Sequence, residues 1–287
     1  FANWLNNTKV HFSEVCKQNI ANSKYWHFLS PEFELNKTDI CNDKINLINQ
    51  FYIDSNSNRQ KEIQRCLKFN VFNKQIDTIF LLNERLYTNE ELGVESDKIK
   101  QIVIKKRLQY CDVFDMIGDH NIQGYILLAN SDIFFDKSIE DLRKTNLSQK
   151  KDVLTLLRYE YDGKSKLKDC KLFGPRSDSQ DTWIFHTSQT IKKDKRKVFE
   201  IKLGLPSCDN KLIYLWNILG YQCYNCPELI KTYHYHVTQK RNYDATTKRT
   251  KAPWCANYPR LKSLSLPKLS KQHTFNILEE NNELFNY

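Results

Sequence analysis

Short apolar runs alternate with helix-like segments through the middle of the chain, and this alternation is the strongest constraint on its fold. The runs are KINLINQFYI (44–53), IDTIFLLNE (76–84), IKQIVI (99–104), GYILLANSD (124–132) and DVLTLLRYEY (152–161). Continuous apolar stretches such as YILLA suit strands that are covered on both faces. We therefore expect a buried sheet whose strands are joined by helical connections.

Three further segments have the spacing of amphipathic helices. In RQKEIQRCLKFNVF (59–72) the apolar residues fall on one helical face, and Asn58 or Ser57 is the expected N-cap. Similar patterns cover 107–120 and 212–220, and the last of these ends on a glycine. Strands that alternate with helices of this length indicate an α/β fold with a mostly parallel central sheet flanked by helices.

The character of the sequence divides the chain into three parts. Residues 1–43 are polar with scattered aromatics, which predicts an N-terminal extension or linker. Residues 44–238 carry the strand and helix patterns and form the expected folded domain. Residues 239–287 are basic and punctuated by proline, which predicts a tail that packs on the domain.

The 287 residues carry a net charge of +10. A basic chain favours anionic partners such as nucleic acid, acidic membranes or phosphorylated small molecules, although a solvated lysine-rich surface gives the same total. The basic runs at 192–197 and 240–251 lack the regular aromatic interleaving of single-strand nucleic-acid platforms. Nucleic acid is therefore the less favoured partner. No apolar run approaches the ~20 residues that a membrane span needs.

Nine cysteines are present, and most stand singly in apolar segments. Cys223 and Cys226 form a CxxC motif, and Cys208 and Cys255 are the thiols that would complete a zinc site with it. Their spacing matches none of the standard zinc patterns. Reduced thiols in a cytoplasmic protein are therefore expected.

A polar cluster follows the strand at 124–129, where Asn130 and Asp132 stand two residues apart. In an extended chain this spacing directs both side chains to one side, and their oxygens suit a hard divalent cation. The alternative is a turn into a helix, with Asp136 or Ser138 as its cap. Ligands of α/β sheets bind at the carboxyl ends of strands, and no GxGxxG or P-loop motif follows the first strand.

Later residues add candidates for metal binding and acid–base chemistry. His234 and His236 alternate in TYHYHVT (232–238), so both face the same side of the expected strand, and imidazole ligands favour manganese over magnesium. Asp209 stands before a helix and is either an N-cap or a general base. Asp181, in SQDTW, is a second candidate carboxylate.

Taken in chain order, these elements resemble the GT-A glycosyltransferases. The order is a strand (KINLINQFYI), a helix (RQKEIQRCL), two strands (IDTIFLLNE and GYILLANSDIFF), then QDTWIF, GLPSCDN and a late YHYH. The likeness covers about residues 44–238 and is strongest to the family-2-like transferases encoded by large DNA viruses and some bacteria. It implies a GT-A fold and rests on the order of the motifs.

The resemblance implies a metal site at Asn130-Ser131-Asp132. This triplet stands where the family has a DXD motif, which holds Mn²⁺ or Mg²⁺ against the donor diphosphate. Asn130 replaces the first carboxylate, which leaves Asp132 as the direct ligand. The family's late histidine ligand maps to His236, with His234 as the second choice.

The resemblance also implies a catalytic base at Asp209 in an inverting transfer, with Asp181 beside the donor sugar or acceptor. It places further donor-binding residues at Asn49, Gln50, Tyr52 and Glu84. Arg107 is a further candidate for the donor, as a cation that stabilises charge on the departing diphosphate. The implied activity is transfer of a hexosyl group from a nucleotide sugar, with UDP as the expected nucleotide, to a glycan or protein acceptor. Two other classes stay open: a basic nucleic-acid-binding or scaffold domain, and a sugar-1-phosphate nucleotidyltransferase-like enzyme.

Overall fold

A seven-stranded β-sheet lies at the centre of the computed structural model, which describes residues 25–36, 40–239 and 249–262, with side chains from residue 29 onward. The strands of the described chain are β1 (Tyr25–Leu29), β2 (Ile45–Asn49), β3 (Thr78–Asn83), β4 (Ile99–Val103), β5 (Tyr125–Ala129), β6 (Ile133–Phe135), β7 (Asp152–Leu157), β8 (Tyr159–Glu160), β9 (Lys171–Leu172), β10 (Gln180–His186), β11 (Gln222–Tyr224), β12 (Thr232–His234) and β13 (Trp254–Tyr258). Its α-helices are α1 (Ser57–Phe72), α2 (Asn89–Leu92), α3 (Tyr110–Asp119) and α4 (Cys208–Ile218). Short 3₁₀ helices span Lys137–Lys144, Leu167–Asp169, Thr187–Gln189 and Lys193–Phe199.

The strand order in the central sheet is β11-β7-β10-β5-β2-β3-β4. β10 is antiparallel to both of its neighbours, and the other neighbouring pairs are parallel. Every residue of β2 and β5 is buried, as expected for strands covered on both faces. The expected α/β class with a mostly parallel sheet flanked by helices is therefore confirmed. The antiparallel course of β10 is an addition that the apolar pattern does not reveal.

Helix α1 follows β2 and covers one face of the sheet. Its N-cap is Asn56, whose side-chain oxygen accepts the backbone N–H groups of Asn58 and Arg59 at 3.0 and 3.1 Å. The cap thus lies one residue before the expected Ser57, because Asn56 is the last residue with extended backbone angles. The buried face of the helix includes Ile63, as the apolar spacing predicts.

Two hydrophobic cores lie against the central sheet. One packs α3 and α4 on strands β5, β7 and β10, and it is rich in aromatic residues. In this core Phe114 meets Trp216 edge-on with ring centroids 5.6 Å apart. The other core joins α1 to residues of β2, β3 and β5. None of the helices in the described ranges has the length and apolar character that a bilayer crossing needs.

A second, four-stranded sheet has the order β6-β12-β8-β9. β12 lies between β6 and β8, so that His234 pairs with Ile133 on one side and with Glu160 on the other. The strand is shorter than the expected 232–238 alternation, because the chain turns after His234. This small sheet continues directly from the end of β5 and places late residues beside the loop at 130–132.

The described parts of the two terminal segments lie side by side. β1 and β13 pair in parallel, with Leu29 opposite Tyr258. Next to them, the Ser30 hydroxyl accepts the backbone N–H of Asn225 at 2.8 Å, which joins this pair to the region after β11. The other residues of the expected extension (1–24 and 37–39) and tail (240–248 and 263–287) lie outside the described residues.

Candidate active site

The loop Asn130-Ser131-Asp132 lies at the carboxyl end of β5, in the middle of the central sheet. β5 is apolar and fully buried, and its backbone pairing with β10 stops at Ala129, where the polar residues begin. The Ile133 N–H donates to the Asn130 carbonyl at 3.1 Å, which closes a tight turn into β6. This turn directs the Asp132 side chain towards the small sheet, where it is 8 % exposed.

Asp132 meets both candidate histidines. Its Oδ2 atom lies 3.2 Å from His234 Nε2 and 3.7 Å from His236 Nδ1. The pairing of β12 with β6 explains this contact, because it sets His234 opposite Ile133, the neighbour of Asp132. The Tyr235 N–H donates to the Asp132 carbonyl at 2.9 Å and fixes the chain between the two histidines. The structure therefore brings the three predicted metal ligands together.

A fourth residue at this cluster, Arg59, was not among the sequence candidates. It lies in the first turn of α1, is 4 % exposed, and its Nη2 atom contacts Asp132 Oδ2 at 2.5 Å. Its Nη1 atom donates to Glu62 Oε2 at 3.0 Å. Glu62 in turn accepts the N–H and hydroxyl of Thr238 at 2.8 and 2.9 Å. Arg59 and Glu62 therefore fasten the His234–Thr238 segment to α1.

These contacts shift the proton affinities of the cluster. Burial by itself raises the pKa of Asp132, but His234 and Arg59 outweigh it and hold the pKa of this carboxyl well below its ordinary value. Burial lowers the pKa of His234, but Asp132 and Glu160 reverse this and raise it to about 9. His234 donates from Nδ1 to Glu160 Oε2 at 3.0 Å and from Nε2 to Asp132, as an imidazolium does. Asp132 is thus a permanently charged group at neutral pH.

The donor set fits a divalent cation. One oxygen of Asp132, Oδ1, is buried and has no hydrogen-bond partner in the part of the chain that the structure describes. The ligand atoms of Asp132, His234 and His236 lie within 4.8 Å of one another. A carboxylate with two imidazoles suits manganese and its first-row neighbours better than magnesium. Arg59 occupies the Oδ2 side of Asp132, so Oδ1 is the oxygen left for a metal.

A second network begins at Asn130 and reaches β10. The Asn130 side-chain amide donates to Asp181 Oδ1 at 2.7 Å, and its backbone N–H donates to the Asp181 carbonyl at 3.2 Å. Asp181 lies at an irregularity in the pairing of β10 with β7, where a bulged strand redirects a side chain. Its other oxygen accepts from Arg158, which also donates to Glu160 Oε1 at 2.9 Å. Asp181 is thereby connected through Arg158 and Glu160 to His234.

Asp209 lies in the first turn of α4 and is not its cap. The N-cap position is Ser207, with left-handed backbone angles (φ 63°), so the capping role considered for Asp209 is not the one it has. The half-buried Asp209 carboxyl makes no salt bridge among the described residues. Burial raises its pKa to about 7, and the nearby carboxylates of Asp181 and Asp178 act in the same direction.

Two residues expected to face a nucleotide are buried at the end of β2. Asn49 is 3 % exposed, and its side-chain oxygen has no hydrogen-bond partner within the described ranges. Gln50 is fully engaged: it donates to the Lys106 carbonyl at 2.9 Å and accepts the Leu108 N–H at 3.0 Å. Gln50 therefore holds the loop after β4, whereas the buried Asn49 oxygen has no such contact among the described residues.

Three other expected donor-binding residues have different surroundings. Tyr52 is half-buried and lies close enough to Arg59 to act on its charge. Glu84 follows β3 and is exposed. Arg107 donates from Nε to the Leu203 carbonyl at 3.0 Å, between the β4–α3 loop and the segment before α4. Of these three, Tyr52 is the one that the structure connects to the Asp132 cluster.

Comparisons with known proteins find similar structures but no related sequence. The sequence matches no protein-family model and no curated protein. The structure is similar to the mannosyltransferase PcManGT from Pyrobaculum calidifontis in complex with GDP-Man and Mn²⁺, with a TM-score of 0.46 and 8 % identity over 80 % of this chain and 64 % of that one. It is also similar to GalNAc-T7 with UDP, GalNAc and Mn²⁺, with a TM-score of 0.44 and 9 % identity over 79 % of this chain and 53 % of that one. The chain thus spans less than two thirds of the length of either protein.

Proposed function

We propose that this chain is a metal-dependent GT-A glycosyltransferase that moves a hexosyl group from a nucleotide sugar, with UDP as the expected nucleotide, to an acceptor hydroxyl. The observation that carries the proposal is the meeting of Asp132, His234 and His236 at the carboxyl end of β5. This is the place in an α/β sheet where ligands bind. The sequence resemblance, noted from the order of the motifs, leads to the same residues.

Asp132, His234 and His236 would hold Mn²⁺, or Mg²⁺ more weakly. A divalent cation bound there supplies Lewis-acid stabilisation of the charge that develops on the departing diphosphate. Arg59 adds a fixed positive charge beside Asp132 and keeps that carboxylate ionised. Arg158, buried between Asp181 and Glu160, contributes a second cation at the same edge.

Asp209 is the proposed general base. Its pKa of about 7 is close to the operating pH, which is the condition for efficient proton transfer. In an inverting displacement it takes the proton of the acceptor hydroxyl as that oxygen attacks the anomeric carbon. Asp181, held by Asn130 and Arg158, would orient the donor sugar or the acceptor through its carboxylate.

The nucleotide base would lie at the end of β2, beside Asn49 and Tyr52. The unpartnered Asn49 oxygen is an acceptor suited to an N–H group of the base, such as that of uracil. Gln50 supports this wall indirectly by holding the backbone at Lys106 and Leu108. A glycan or protein acceptor would approach from the side of Asp209.

Thermal-shift measurements with Mn²⁺ and a panel of nucleoside diphosphates test the proposal. We expect a rise in melting temperature that needs both metal and nucleotide, since a ligand that binds only the folded state stabilises it. Asp132→Ala should abolish this rise, whereas Asp97→Ala, which removes an exposed carboxylate before β4, should retain it. Absence of any nucleotide response in the intact chain would contradict the proposal.

Product analysis then separates the two enzyme classes. A glycosyltransferase releases a nucleoside diphosphate and extends an acceptor by one sugar. A nucleotidyltransferase instead releases pyrophosphate and forms a nucleotide sugar. Detection of pyrophosphate would show that the chain is a nucleotidyltransferase, and the proposed metal site would be unaffected by that result.

A further inference from the structure

Three side chains with metal-binding atoms converge at the other end of the central strands, near the start of β5. Cys41 and Asp43 lie in the segment that enters β2, and His186 is the last residue of β10. Because β10 runs antiparallel, His186 pairs with Tyr125 at the start of β5. The cluster is therefore separated from Asp132 by the length of β5.

The three groups meet at one carboxylate oxygen. The Cys41 thiol donates to Asp43 Oδ2 at 3.0 Å, and His186 Nε2 lies 2.9 Å from the same atom. All three ligand atoms lie within 4.8 Å of one another. Cys41 bonds to Asp43 and not to His186, so the arrangement lacks the thiol–imidazole hydrogen bond of a cysteine nucleophile with its base. The thiol of Cys41 and the imidazole of His186 instead both contact Asp43 Oδ2, and a metal ion can take the place of the hydrogen bonds that join them to it.

His186 has the support that is typical of metal-ligating imidazoles. Its Nδ1 atom lies 2.8 Å from the Ser188 hydroxyl oxygen, and that hydroxyl lies 2.5 Å from the Ser148 carbonyl. A Ser188 hydroxyl that donates to Ser148 leaves its oxygen to accept Nδ1–H, which frees Nε2 for a metal. The Ser188 N–H, 3.2 Å from Nδ1, serves the other tautomer, in which Nε2–H donates to Asp43. The ring is thus held in one place with either proton distribution.

The spacing is close to that of tetrahedral zinc. Bonds of about 2.0 Å to nitrogen or oxygen and about 2.3 Å to sulfur place neighbouring ligand atoms about 3.3–3.5 Å apart. The observed 3.0 and 2.9 Å therefore need to open by only about 0.5 Å. The Asp43 side chain is 50 % exposed, so it has room to move. A thiolate among the ligands favours zinc over manganese or magnesium.

Tyr125 supplies a second, independent observation. It is fully buried, its ring packs edge-on against His186 with centroids 4.9 Å apart, and its hydroxyl lies beside Cys41. That hydroxyl has no hydrogen bond of ordinary geometry among the described residues. A buried hydroxyl beside Cys41 and Thr145 is a suitable partner for a water molecule in the fourth position of a metal site.

We propose that Cys41, Asp43 and His186 form a zinc site, distinct from the Asp132 cluster, that ties the segment entering β2 to the end of β10. Zinc would replace the proton of the Cys41 thiol, which passes to solvent, and would bind Nε2 of the neutral His186 ring in the tautomer that keeps its proton on Nδ1. The site links residues 143 positions apart in the chain, and it would stabilise the folded state by binding to it alone. It neither depends on the glycosyltransferase proposal nor contributes to it.

Cobalt substitution of the intact chain tests the site directly, because a thiolate ligand gives Co²⁺ a charge-transfer band in the near ultraviolet. We expect this band in the intact chain and in Asp132→Ala, and its loss in Cys41→Ser. Cys170→Ser is the matched control, since Cys170 is also a partly exposed thiol but lies outside both clusters, and it should retain the band. Zinc should raise the melting temperature of the intact chain and of Cys170→Ser, but not that of Cys41→Ser.

Asp43→Asn provides a second variant on an exposed side chain, in case Cys41→Ser fails to fold. We expect it to weaken zinc binding at least about tenfold, as loss of one ligand or its support does. No thiolate band in the intact chain, or a band that survives Cys41→Ser, would overturn the zinc site. The nucleotide-dependent response to Mn²⁺ should persist in Cys41→Ser, so failure of the zinc site is distinguishable from failure of the proposed enzyme activity.

Discussion

Replacing Asp209 by Asn should make the protein more stable at alkaline pH and catalytically poor. The physical reason is that burial and the carboxylates of Asp181 and Asp178 disfavour the charged form of Asp209, raising its pKa from 3.8 to about 7. An asparagine has nearly the same shape and carries no charge. The substitution therefore removes a cost of folding that the proposed general base imposes.

The size of the effect follows from the pKa. Each tenfold change in an acid dissociation constant is worth about 1.4 kcal/mol, so a rise from 3.8 to about 7 costs the ionised folded protein up to about 4 kcal/mol. The side chain is half-buried, and solvent screening makes this an upper limit. The folded state keeps a proton that the unfolded chain has lost between about pH 4 and 7. Wild-type stability thus falls as pH rises through this window, and at most about 2–3 kcal/mol of the difference develops between pH 5 and 8.

Denaturant unfolding at pH 5 and pH 8 measures the first part of the prediction. Asp209→Asn should exceed the wild type in free energy of unfolding, with a larger excess at pH 8 than at pH 5. Its turnover should fall about 10²–10⁴-fold, the usual contribution of a general base. In the wild type, kcat/KM should decline below pH 7, and about a tenth of the base remains ionised at pH 6.

Asp178→Asn is the matched control. Asp178 pairs with Arg176 at 2.6 Å and adds like charge near Asp209. Removing its charge should leave turnover largely intact while moving the acidic limb of the pH profile to lower pH. If Asp209→Asn turns over normally, the base is another group. If its added stability is equal at pH 5 and pH 8, the pKa of Asp209 is not raised.

Three further outcomes are expected elsewhere in the fold. Arg59→Ala should cost about 3–5 kcal/mol in denaturant unfolding, because it leaves the buried Asp132 carboxylate without its guanidinium partner; a loss below about 1 kcal/mol would show that the pair is weak. Gly124→Ala should cost at least about 2 kcal/mol, since φ is +105° and a Cβ would lie 2.2 Å from a backbone oxygen. Gly220→Ala, with φ +83° and none of the described residues within 4 Å of its Cβ, should cost less in the same assay. Mn²⁺ binding near pH 7.5 should release about one proton, because the pKa of His234 is raised to about 9 and a metal-bound imidazole is neutral. Calorimetry in buffers of different ionisation enthalpy measures that proton, and equal heats in all buffers would contradict it.

Much of the architecture follows from local patterns in the sequence. The apolar runs mark β2, β5 and β7 because strands that are buried along their whole length are mostly apolar. They also mark β3, which is mostly buried, and β4, which is partly exposed. The face of α1 that carries Ile63 and Val71 is equally readable, since its spacing matches the helical repeat. The sequence locates the ends of helices and strands less accurately: the N-cap of α1 is Asn56 and not Ser57 or Asn58, and β12 ends at His234 and not at Thr238.

Long-range pairing is what the sequence conceals. No local sequence pattern distinguishes the antiparallel β10 from a parallel strand. Its direction nevertheless places Asp181 next to Asn130 and His186 at the opposite end of β5. Arg59 is similarly hidden, because a charged residue in the first turn of a helix ordinarily faces solvent. It is buried here because β12 and the turn after it fold back over α1 and supply Glu62 with its partners at Thr238.

The two acids of the proposed mechanism are separated by their surroundings. Asp132 lies between Arg59 and His234, which hold its pKa low, so its carboxylate is charged throughout the range around neutral pH. Asp209 has burial and like charges around it, which raise its pKa to about 7. A permanently charged carboxylate suits a metal ligand, whereas a carboxyl that gains and loses a proton near neutral pH suits a base. The same residue type is therefore directed to two roles by the groups that the fold brings to each position, which supports Asp132 as the proposed ligand and Asp209 as the proposed base.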